Sequence, residues 1–184
     1  MGYLRQVRSA PRQVELEDSC VAVYERELDY LFETLQRLGA NPREIEDLAH
    51  EVFLVLLRNW PQLDLSRPFR PYLFAVAFRV VCAYRRRRRR EVPYAYLDAE
   101  DQAVGPEESL QAKQSTGLLL AALDTVPLPR RAVVVMHDLD GVSIVEVAAR
   151  LSITRFGAYA RLRKARKELA SGLRRLLREG VIRR

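Results

Sequence analysis

Apolar residues recur at steps of three and four along the first part of the chain, which is the spacing of amphipathic helices that bury one face. The first run predicts a single unbroken helix with apolar positions at Val21, Tyr24, Leu28, Leu31, Leu35 and Leu38. Gly39 follows this run as a C-cap. Asn41 and Pro42 then start a second helix, which Pro61 ends. The apolar face of this second helix consists of Ile45, Leu48, Val52, Val55 and Leu56.

A loop over residues 62–70 leads to a third helix, which is expected to start at Pro71 and to run into Arg90. Its predicted inward face is Leu73, Val76, Ala77, Val80 and Tyr84. Phe74 and Phe78 widen the apolar zone. The predicted outer stripe is Tyr72, Ala75, Arg79, Cys82, Ala83 and Arg86. A helix with so little polar surface is typical of the centre of a bundle.

The composition changes sharply after the third helix. The stretch from Glu91 to Gln111 is acidic and contains neither Lys nor Arg, which predicts a flexible linker over residues 92–114. A second helical part is expected to begin near Ser115. It contains a helix over residues 118–123 and, after a proline-rich break, a helix from Pro129 to Leu139.

The C-terminal third carries the spacing of a helix-turn-helix. Ser143 and Glu146 form a capping box before a short helix whose inward residues are Ile144, Val147, Ala148 and Leu151. Ser152 and Ile153 make a tight turn, and Thr154 caps a long basic helix with an inward stripe at Ala158, Leu162, Ala165, Leu169, Leu173 and Leu176. The chain is therefore predicted to be all-α, an N-terminal three- to four-helix bundle joined by a flexible linker to a C-terminal helix-turn-helix domain.

The charge of the chain favours a polyanionic partner. The formal net charge is +7 and the sequence pI is about 9.8. The outward face of the last helix combines aromatic and basic side chains suited to base edges and phosphates: Phe156, Tyr159, Arg163 and Lys167, with Arg155 at its edge. A basic, solvated helical hairpin is the alternative. The six consecutive arginines at residues 85–90 can neutralise phosphates, and a basic targeting signal is the alternative for them.

The sequence offers few groups for catalysis. Cys20 and Cys82 lie in apolar helical patterns, which predicts small buried hydrophobes rather than a disulfide and indicates a reducing compartment. No signal peptide and no apolar run near the ~20 residues of a membrane span is present, so we expect a cytoplasmic protein without membrane insertion. His50 and His137 lack partners at metal-ligand spacing. We therefore expect no enzyme activity, no metal and no cofactor.

Four segments resemble the motifs of bacterial sigma factors of the extracytoplasmic-function type, which belong to the sigma-70 family. EIEDLAHEVF at residues 44–53 is similar to their AEDLVQEVF motif, and residues 68–74 with the arginines beyond them resemble their aromatic and basic helix. ALDTVPLPRR at residues 122–131 looks like the opening of their second domain. Residues 141–166 resemble their helix-turn-helix. The four motifs stand in the same order as in the family, which makes the resemblance specific.

The resemblance implies a protein that binds core RNA polymerase, directs it to promoters and helps to melt the −10 element. It assigns polymerase and −10 binding to residues 16–91 and −35 binding to residues 115–180. In the family the acidic helix docks on a coiled coil of the polymerase β′ subunit, which implies contacts from Asp47, Glu51 and Phe53. Asp47 and Glu51 share a helix face that suits an Arg-rich partner, although an ordinary charged face is the alternative. An anti-sigma factor is a further partner that the resemblance implies.

The resemblance also implies two DNA contacts. The loop at residues 62–70 matches a family element that captures a base flipped from the −10 strand. The implied −10 contacts are Arg67, Phe69, Arg70, Tyr72, Arg79, Arg85 and Arg86. The implied −35 contacts are Thr154, Arg155, Phe156, Tyr159, Arg163 and Lys167. For Phe69 the alternative is that its ring simply fills the first bundle.

Departures from the family pattern leave other functions open. Arg79 and Ala83 stand where the family has Asn and Asp, and residues 156–160 are FGAYA where it has GTVKS. Gly157 is expected to weaken its helix by up to about 1 kcal/mol relative to Ala. One alternative is a stand-alone helix-turn-helix regulator, which leaves the motif at residues 44–53 unexplained. Another is a degenerate sigma-like chain that titrates polymerase. A nuclease would need carboxylates clustered near the basic surface, a pattern that the linker acids lack.

Overall fold

The computed structural model describes residues 20–91 and 110–178, and within these two ranges the regular structure is helical throughout. Eight α-helices are α1 (residues 20–26), α2 (Leu28–Arg37), α3 (Ile45–Asn59), α4 (Phe69–Glu91), α5 (Leu110–Asp124), α6 (Leu128–Val134), α7 (Ile144–Arg150) and α8 (Arg155–Arg178). Pro42–Glu44 and Trp60–Gln62 form 3₁₀ turns, and Val135–Leu139 forms a π-helical segment. The all-α class is confirmed. No helix in the described ranges is long and apolar enough to span a membrane.

Helix α4 lies at the centre of the first bundle, which consists of α1 to α4. Both α2 and α3 pack against it, and so does α7 from the second bundle, which consists of α5 to α8. The residues of α4 with almost no exposed surface are Leu73, Phe74, Ala75, Val76, Ala77, Val80 and Val81. Ala75, predicted for the outer stripe, is therefore buried. The wrong prediction has a physical reason, because three helices pack around α4 and leave little of its circumference to solvent.

Two helix boundaries in the first bundle differ from the sequence prediction. The first helix is interrupted by a turn at Glu27, whose N–H is shared between the carbonyls of Val23 and Tyr24 at 3.3 and 3.1 Å. Helix α4 begins at Phe69, two residues before Pro71. A proline is tolerated there because the N–H groups of a helix's first turn need no partner within the helix.

The connection between α2 and α3 follows the predicted caps. Gly39 adopts a left-handed backbone with φ of +75°, and its N–H donates to the carbonyl of Gln36 at 2.8 Å. The Asn41 side chain accepts from the N–H of Arg43 at 3.0 Å. Asn41 thus caps the 3₁₀ turn, and α3 starts only at Ile45.

In the second bundle, α8 is the helix on which the others converge, because α5, α6 and α7 all pack against it. Helix α5 starts at Leu110, which lies inside the stretch predicted as linker over residues 92–114. The rest of that stretch, residues 92–109, lies outside the described residues. Helix α6 starts one residue earlier than expected, at Leu128, and the π-helical segment carries the same helical path to Leu139.

The two bundles pack against each other through polar groups as well as apolar ones. The Tyr30 hydroxyl donates to a carboxylate oxygen of Asp140 at 2.8 Å, and Arg37 approaches the other oxygen at 3.4 Å. Burial raises the pKa of the Asp140 carboxyl above its usual range, although Tyr30 and Arg37 both oppose that shift. Where α2 ends, Gly39 lies directly beside the guanidinium of Arg131, a residue only 3% exposed. Asp140 and Arg131 therefore both belong to the contact between the bundles.

Gly39 and Gly141 provide a matched pair for testing this packing. Both have positive φ, +75° and +70°, so an alanine at either position is strained by about 1–2 kcal/mol. A Cβ on Gly39 would lie 2.2 Å from Nη1 of Arg131, whereas a Cβ on Gly141 would have nothing within 4 Å. We expect Gly39→Ala to lower the free energy of unfolding by about 2–4 kcal/mol and Gly141→Ala by about 1–2 kcal/mol, measured by urea denaturation. Equal losses would contradict the crowding at Gly39.

Candidate nucleic-acid interface

The helix-turn-helix is fixed by two side-chain caps and one strained turn. Ser143 Oγ accepts from the N–H of Glu146 at 3.3 Å at the start of α7. Ser152, in the turn, adopts a positive φ of 55°. Thr154 Oγ1 then accepts from the N–H of Gly157 at 3.0 Å and caps α8. These bonds orient the first turn of α8, where a recognition helix meets the bases.

Gly157 supplies the N–H from which the capping hydroxyl of Thr154 accepts a hydrogen bond. A Cβ at this position would lie 3.0 Å from Thr154 Oγ1, the atom that caps the helix. Such a contact is tighter than ordinary packing, so a larger residue would press on the cap. The equivalent position after the Ser143 cap is nevertheless Glu146, so the cap itself does not require a glycine. The intrinsic cost of Gly157 in the helix therefore remains.

The two faces of α8 divide as predicted near its N-terminus. Ala158, Leu162 and Ala165 are buried. The predicted inward residues farther along the helix, Leu169, Leu173 and Leu176, are only half-buried. The opposite face is open to solvent: Phe156 is 83% exposed and Tyr159 is 59% exposed. The basic side chains that accompany them, Arg155, Arg163 and Lys167, are also exposed. All five proposed groups of this face are thus accessible to a ligand together.

Other charged groups of α8 serve the packing of the second bundle. Arg166 makes two bonds to the Asp138 carboxylate, at 2.8 and 2.6 Å. Glu168 accepts from Arg130 at 2.8 Å. Hydrogen bonding from Arg166 lowers the pKa of Asp138 below its ordinary value of 3.8. The cations of these pairs hold α8 in place, and they differ from the cations on its open face.

The loop before α4 and the start of α4 bring several predicted residues together. Phe69 packs edge-on against Trp60, with ring centroids 6.2 Å apart, and tilted against Tyr72 at 6.3 Å. Arg67 is exposed and paired with Asp64 at 3.1 Å. Trp60 is buried and Phe69 and Tyr72 are half-buried, so the three rings form an aromatic cluster that reaches the surface of the first bundle beside the loop with Arg67.

Arg70 lies beside this cluster but points to α1 and α2. Its Nε donates to a Glu27 oxygen at 2.7 Å, and its guanidinium lies 4.9 Å from the centroid of the Tyr30 ring. The side chain of Arg70 remains 61% exposed. It is therefore within reach of a phosphate, provided that it exchanges its carboxylate partner.

The arginine run does not act as one surface. Arg85 is half-buried and donates to the carbonyls of Leu38 and Gly39, at 3.0 and 2.8 Å, so it closes the C-terminal end of α2. Arg86 and, two turns earlier, Arg79 are exposed. Of the predicted −10 residues on α4, Arg85 is thus already bonded within the protein, whereas Arg79 and Arg86 face solvent.

Two further arginines of the run meet carboxylates of α3 and of the 3₁₀ turn before it, and the sequence analysis did not predict these pairs. Arg87 donates to Glu51 at 2.6 Å, and Arg88 lies 3.6 Å from a Glu44 oxygen. The Tyr84 hydroxyl also donates to Glu44. These residues line a shallow groove together with Asp47 and Leu48. The sequence does indicate such pairs in general, because a run of six arginines after an acidic helix places some guanidinium groups opposite carboxylates. Which arginines form them depends on how α3 packs on α4.

The three residues predicted for polymerase binding do not share one face. Asp47 is exposed and Glu51 is partly exposed, four residues farther along α3. Phe53 is two residues beyond Glu51 and so points about 200° away around the helix. Its ring packs against Tyr24, with centroids 4.9 Å apart, and Tyr24 in turn donates to the carbonyl of Ala49 at 2.9 Å. Phe53 therefore contributes to the packing of α1 on α3.

No group of three or more His, Cys, Asp or Glu residues that could hold a metal ion occurs in residues 20–91 and 110–178. Cys20 is buried and Cys82 half-buried, and both are free thiols whose pKa is raised by burial. What the described surfaces offer is charge of both signs and exposed aromatic rings. Such groups suit binding to nucleic acid and to a charged protein surface.

Comparison with known proteins identifies both bundles. Residues 23–91 match the family described as Sigma-70 region 2, and residues 116–169 match Sigma-70 region 4. The chain is 25% identical over 162 residues to the ECF RNA polymerase sigma factor SigW of Bacillus subtilis, covering 80% of this chain and 85% of that protein. It is 29% identical over 149 residues to the ECF RNA polymerase sigma factor SigF of Caulobacter vibrioides, covering 77% of each.

A solved structure supports the same fold. The sigma factor RpoE of Bartonella quintana, crystallised with the anti-sigma factor NepR, superimposes with a TM-score of 0.64 at 19% identity. The superposition covers 82% of this chain and 96% of that one. The arrangement of α1 to α8 is thus found in a protein with little sequence identity.

The pair Asp138–Arg166 predicts a pH dependence of stability. Because the folded-state pKa of Asp138 is lowered, its stabilisation is present above the ordinary value of 3.8 and is lost as the pH falls through the lowered value. Asp138→Asn should lower the free energy of unfolding at pH 7 by no more than about 1 kcal/mol, since the Arg166 side chain is 55% exposed. The difference between variant and wild type should vanish in acid. Urea unfolding curves at several pH values measure it, and a difference that stays constant would contradict the role of the pair.

Proposed function

Since the chain belongs to the sigma-70 family, as a sigma factor of the extracytoplasmic-function type that directs RNA polymerase to promoters, we propose that three of its helices bind its partners. Helix α3 contacts polymerase, α4 contacts the −10 element and α8 contacts the −35 element. The observation that carries the proposal is the open aromatic and basic face of α8 behind a capped turn, in the same chain as the acidic face of α3. A DNA reader alone would need only the first feature. A sigma factor needs both, because it must hold polymerase as well as promoter DNA.

The polymerase contact is proposed for Asp47 and Glu51 on α3. Both carboxylates are accessible and lie on one helix face, so they can meet an arginine-rich coiled coil of the β′ subunit. Glu51 is bonded to Arg87, whose side chain is 52% exposed, and such an exposed pair is easily exchanged for another cation. Phe53 supports this contact indirectly, since its ring holds α3 against α1.

The −10 contact is proposed for the aromatic cluster and the cations around it. Phe69 and Tyr72 offer ring faces on which an unstacked base can be held. Arg67, Arg70, Arg79 and Arg86 are exposed and can neutralise the phosphates of an opened strand. Arg85 is proposed to contribute indirectly, by holding α4 against the end of α2, because its guanidinium already donates to the carbonyls of Leu38 and Gly39.

The −35 contact is proposed for the N-terminal turns of α8. Thr154 caps the helix, while Arg155, Phe156 and Tyr159 stand where the first turn of a recognition helix enters the major groove. Arg163 and Lys167 follow on the same face, one and two turns on, and are suited to phosphates. We propose residues 16–91 as the unit for polymerase and −10 binding. The −35 unit, expected at residues 115–180, is proposed to include α5 from Leu110.

The family also suggests how the protein is used. The RpoE structure from Bartonella quintana contains an anti-sigma factor, and we propose that this chain is likewise held by one until it is needed. We propose that it acts in the cytoplasm, where polymerase and promoter DNA are found. It would catalyse no reaction itself, since the polymerase supplies the chemistry.

The polymerase contact is tested with two matched double variants in run-off transcription. Asp47→Arg/Glu51→Arg reverses two charges four residues apart on α3, and Glu25→Arg/Asp29→Arg does the same at exposed positions on α1 and α2. We expect the α3 variant to bind core polymerase at least about 10-fold more weakly and to lose promoter-specific transcripts. The control should keep both. The proposal fails if wild-type protein neither binds core polymerase nor yields a transcript, or if both variants behave alike.

The −35 contact is tested by the salt dependence of binding to promoter duplexes. Replacing Arg163 or Lys167 with Gln removes one cation from the open face of α8, so each should reduce the slope of log affinity against log salt by about 1. Because phosphates are alike in every sequence, affinity should fall equally for all promoters. Arg26→Gln, a change on α1, serves as the control with an unchanged slope. An unchanged slope in the α8 variants would place their side chains away from the phosphates.

A further inference from the structure

The largest exposed apolar side chain on the described part of α8 lies where DNA is proposed to bind. Phe156 is 83% exposed in the first turn of the helix, and Tyr159, one turn later, is 59% exposed. The spacing of three residues places both rings on the same face of the helix. Phe156 points away from the buried residues Ala158, Leu162 and Ala165, whereas Tyr159 lies between that buried side and the open face.

The charges around the two rings indicate which kind of partner covers them. Arg155, Arg163 and Lys167 lie on or beside the same face and are all exposed. The acidic residue within this stretch of cations, Glu168, faces Arg130 on the other side of the helix. An apolar patch bordered by cations is complementary to a polyanion that also displays apolar groups. Duplex DNA meets that description in the major groove, where the C5-methyl group of thymine projects.

The chemistry of Phe156 narrows the choice of base. Its ring has no hydrogen-bond donor or acceptor, so it cannot distinguish the polar edges of guanine, adenine or cytosine. The thymine methyl is the apolar feature of the major groove that such a ring can contact. Tyr159 offers the same ring edge plus one hydroxyl, which lacks the paired donors that recognise guanine bidentately.

We propose that Phe156 and Tyr159 determine part of the promoter specificity of this protein by contacting thymine methyl groups in the −35 element. The inference rests on the proposed function of α8 as the −35 recognition helix. It adds the class of base, since the two rings select thymine at neighbouring positions. Arg155, Arg163 and Lys167 bind phosphates and so hold the rings at that register.

The test removes the methyl group and nothing else. Promoters are first selected with core polymerase and the full chain, and each thymine of the selected −35 element is then replaced singly by deoxyuridine. With wild-type protein we expect about 4-fold weaker binding at one or two positions, the effect of losing one buried methyl. Phe156→Ala should bind the thymine duplex more weakly and should be indifferent to deoxyuridine at the position that Phe156 contacts. Tyr159→Ala should do the same at the neighbouring position.

A matched control separates this effect from general loss of apolar surface. Leu177 is 56% exposed on the same helix, far from the first turn, and Leu177→Ala should leave the response to deoxyuridine unchanged. Because Phe156 is so exposed, its replacement should not alter the thermal unfolding of the chain, which circular dichroism can verify.

The outcomes distinguish this inference from the proposed function. Promoter-specific transcripts that are insensitive to deoxyuridine at every thymine would overturn the inference and leave the sigma-factor function intact. The same holds if Phe156→Ala stays as sensitive as wild type, or if it impairs binding of a protein partner while promoter selection is unchanged. If the wild-type chain gives no promoter-specific binding at all, the −35 function and the inference fail together.

Discussion

The burial of α4 is the constraint on which the rest of the structure depends. Helices α2 and α3 pack on it from the first bundle and α7 packs on it from the second, so its first turns must be apolar on almost every side. The helix nevertheless continues into six arginines, of which Arg85, Arg87 and Arg88 meet polar groups of the neighbouring elements. The transition occurs at Arg85, half-buried and bonded to the end of α2. One helix therefore orders the core of the protein and also projects its strongest positive charge.

Electrostatic interactions then divide the arginines into two classes. Those that meet carboxylates or carbonyls within the fold, such as Arg85, Arg131 and Arg166, fix the relative positions of helices. Those on open faces, such as Arg79 and Arg163, remain available to an external anion. A high net positive charge is thus compatible with a compact fold, because part of it is satisfied internally. Arg87 belongs to both classes. It bonds to Glu51 within the fold, and Glu51 is itself a proposed contact for polymerase.

Local patterns predicted much of this architecture. The caps at Gly39, Asn41, Ser143 and Thr154 and the inward stripe at the start of α8 are decided by neighbours within a few residues, and these the sequence displays directly. Ala75 was predicted wrongly because its burial depends on helices distant in the chain, and α5 starts earlier than predicted. The bonds of Arg85 and Arg87 could not be predicted for the same reason, since identical arginines in a run are distinguished only by what lies opposite each of them.

The absence of a side chain at Gly39 has a consequence for exchanging parts between related proteins. The space that a side chain would take is occupied by Arg85 from the first bundle and by Arg131 and Asp124 from the second. A chimera that joined residues 20–91 to the second bundle of another protein would retain this hollow and lose two of the three groups that fill it. The contact between the bundles therefore depends on residues far from the covalent junction between them. A chimera of such chains must transfer Gly39, Asp124 and Arg131 together.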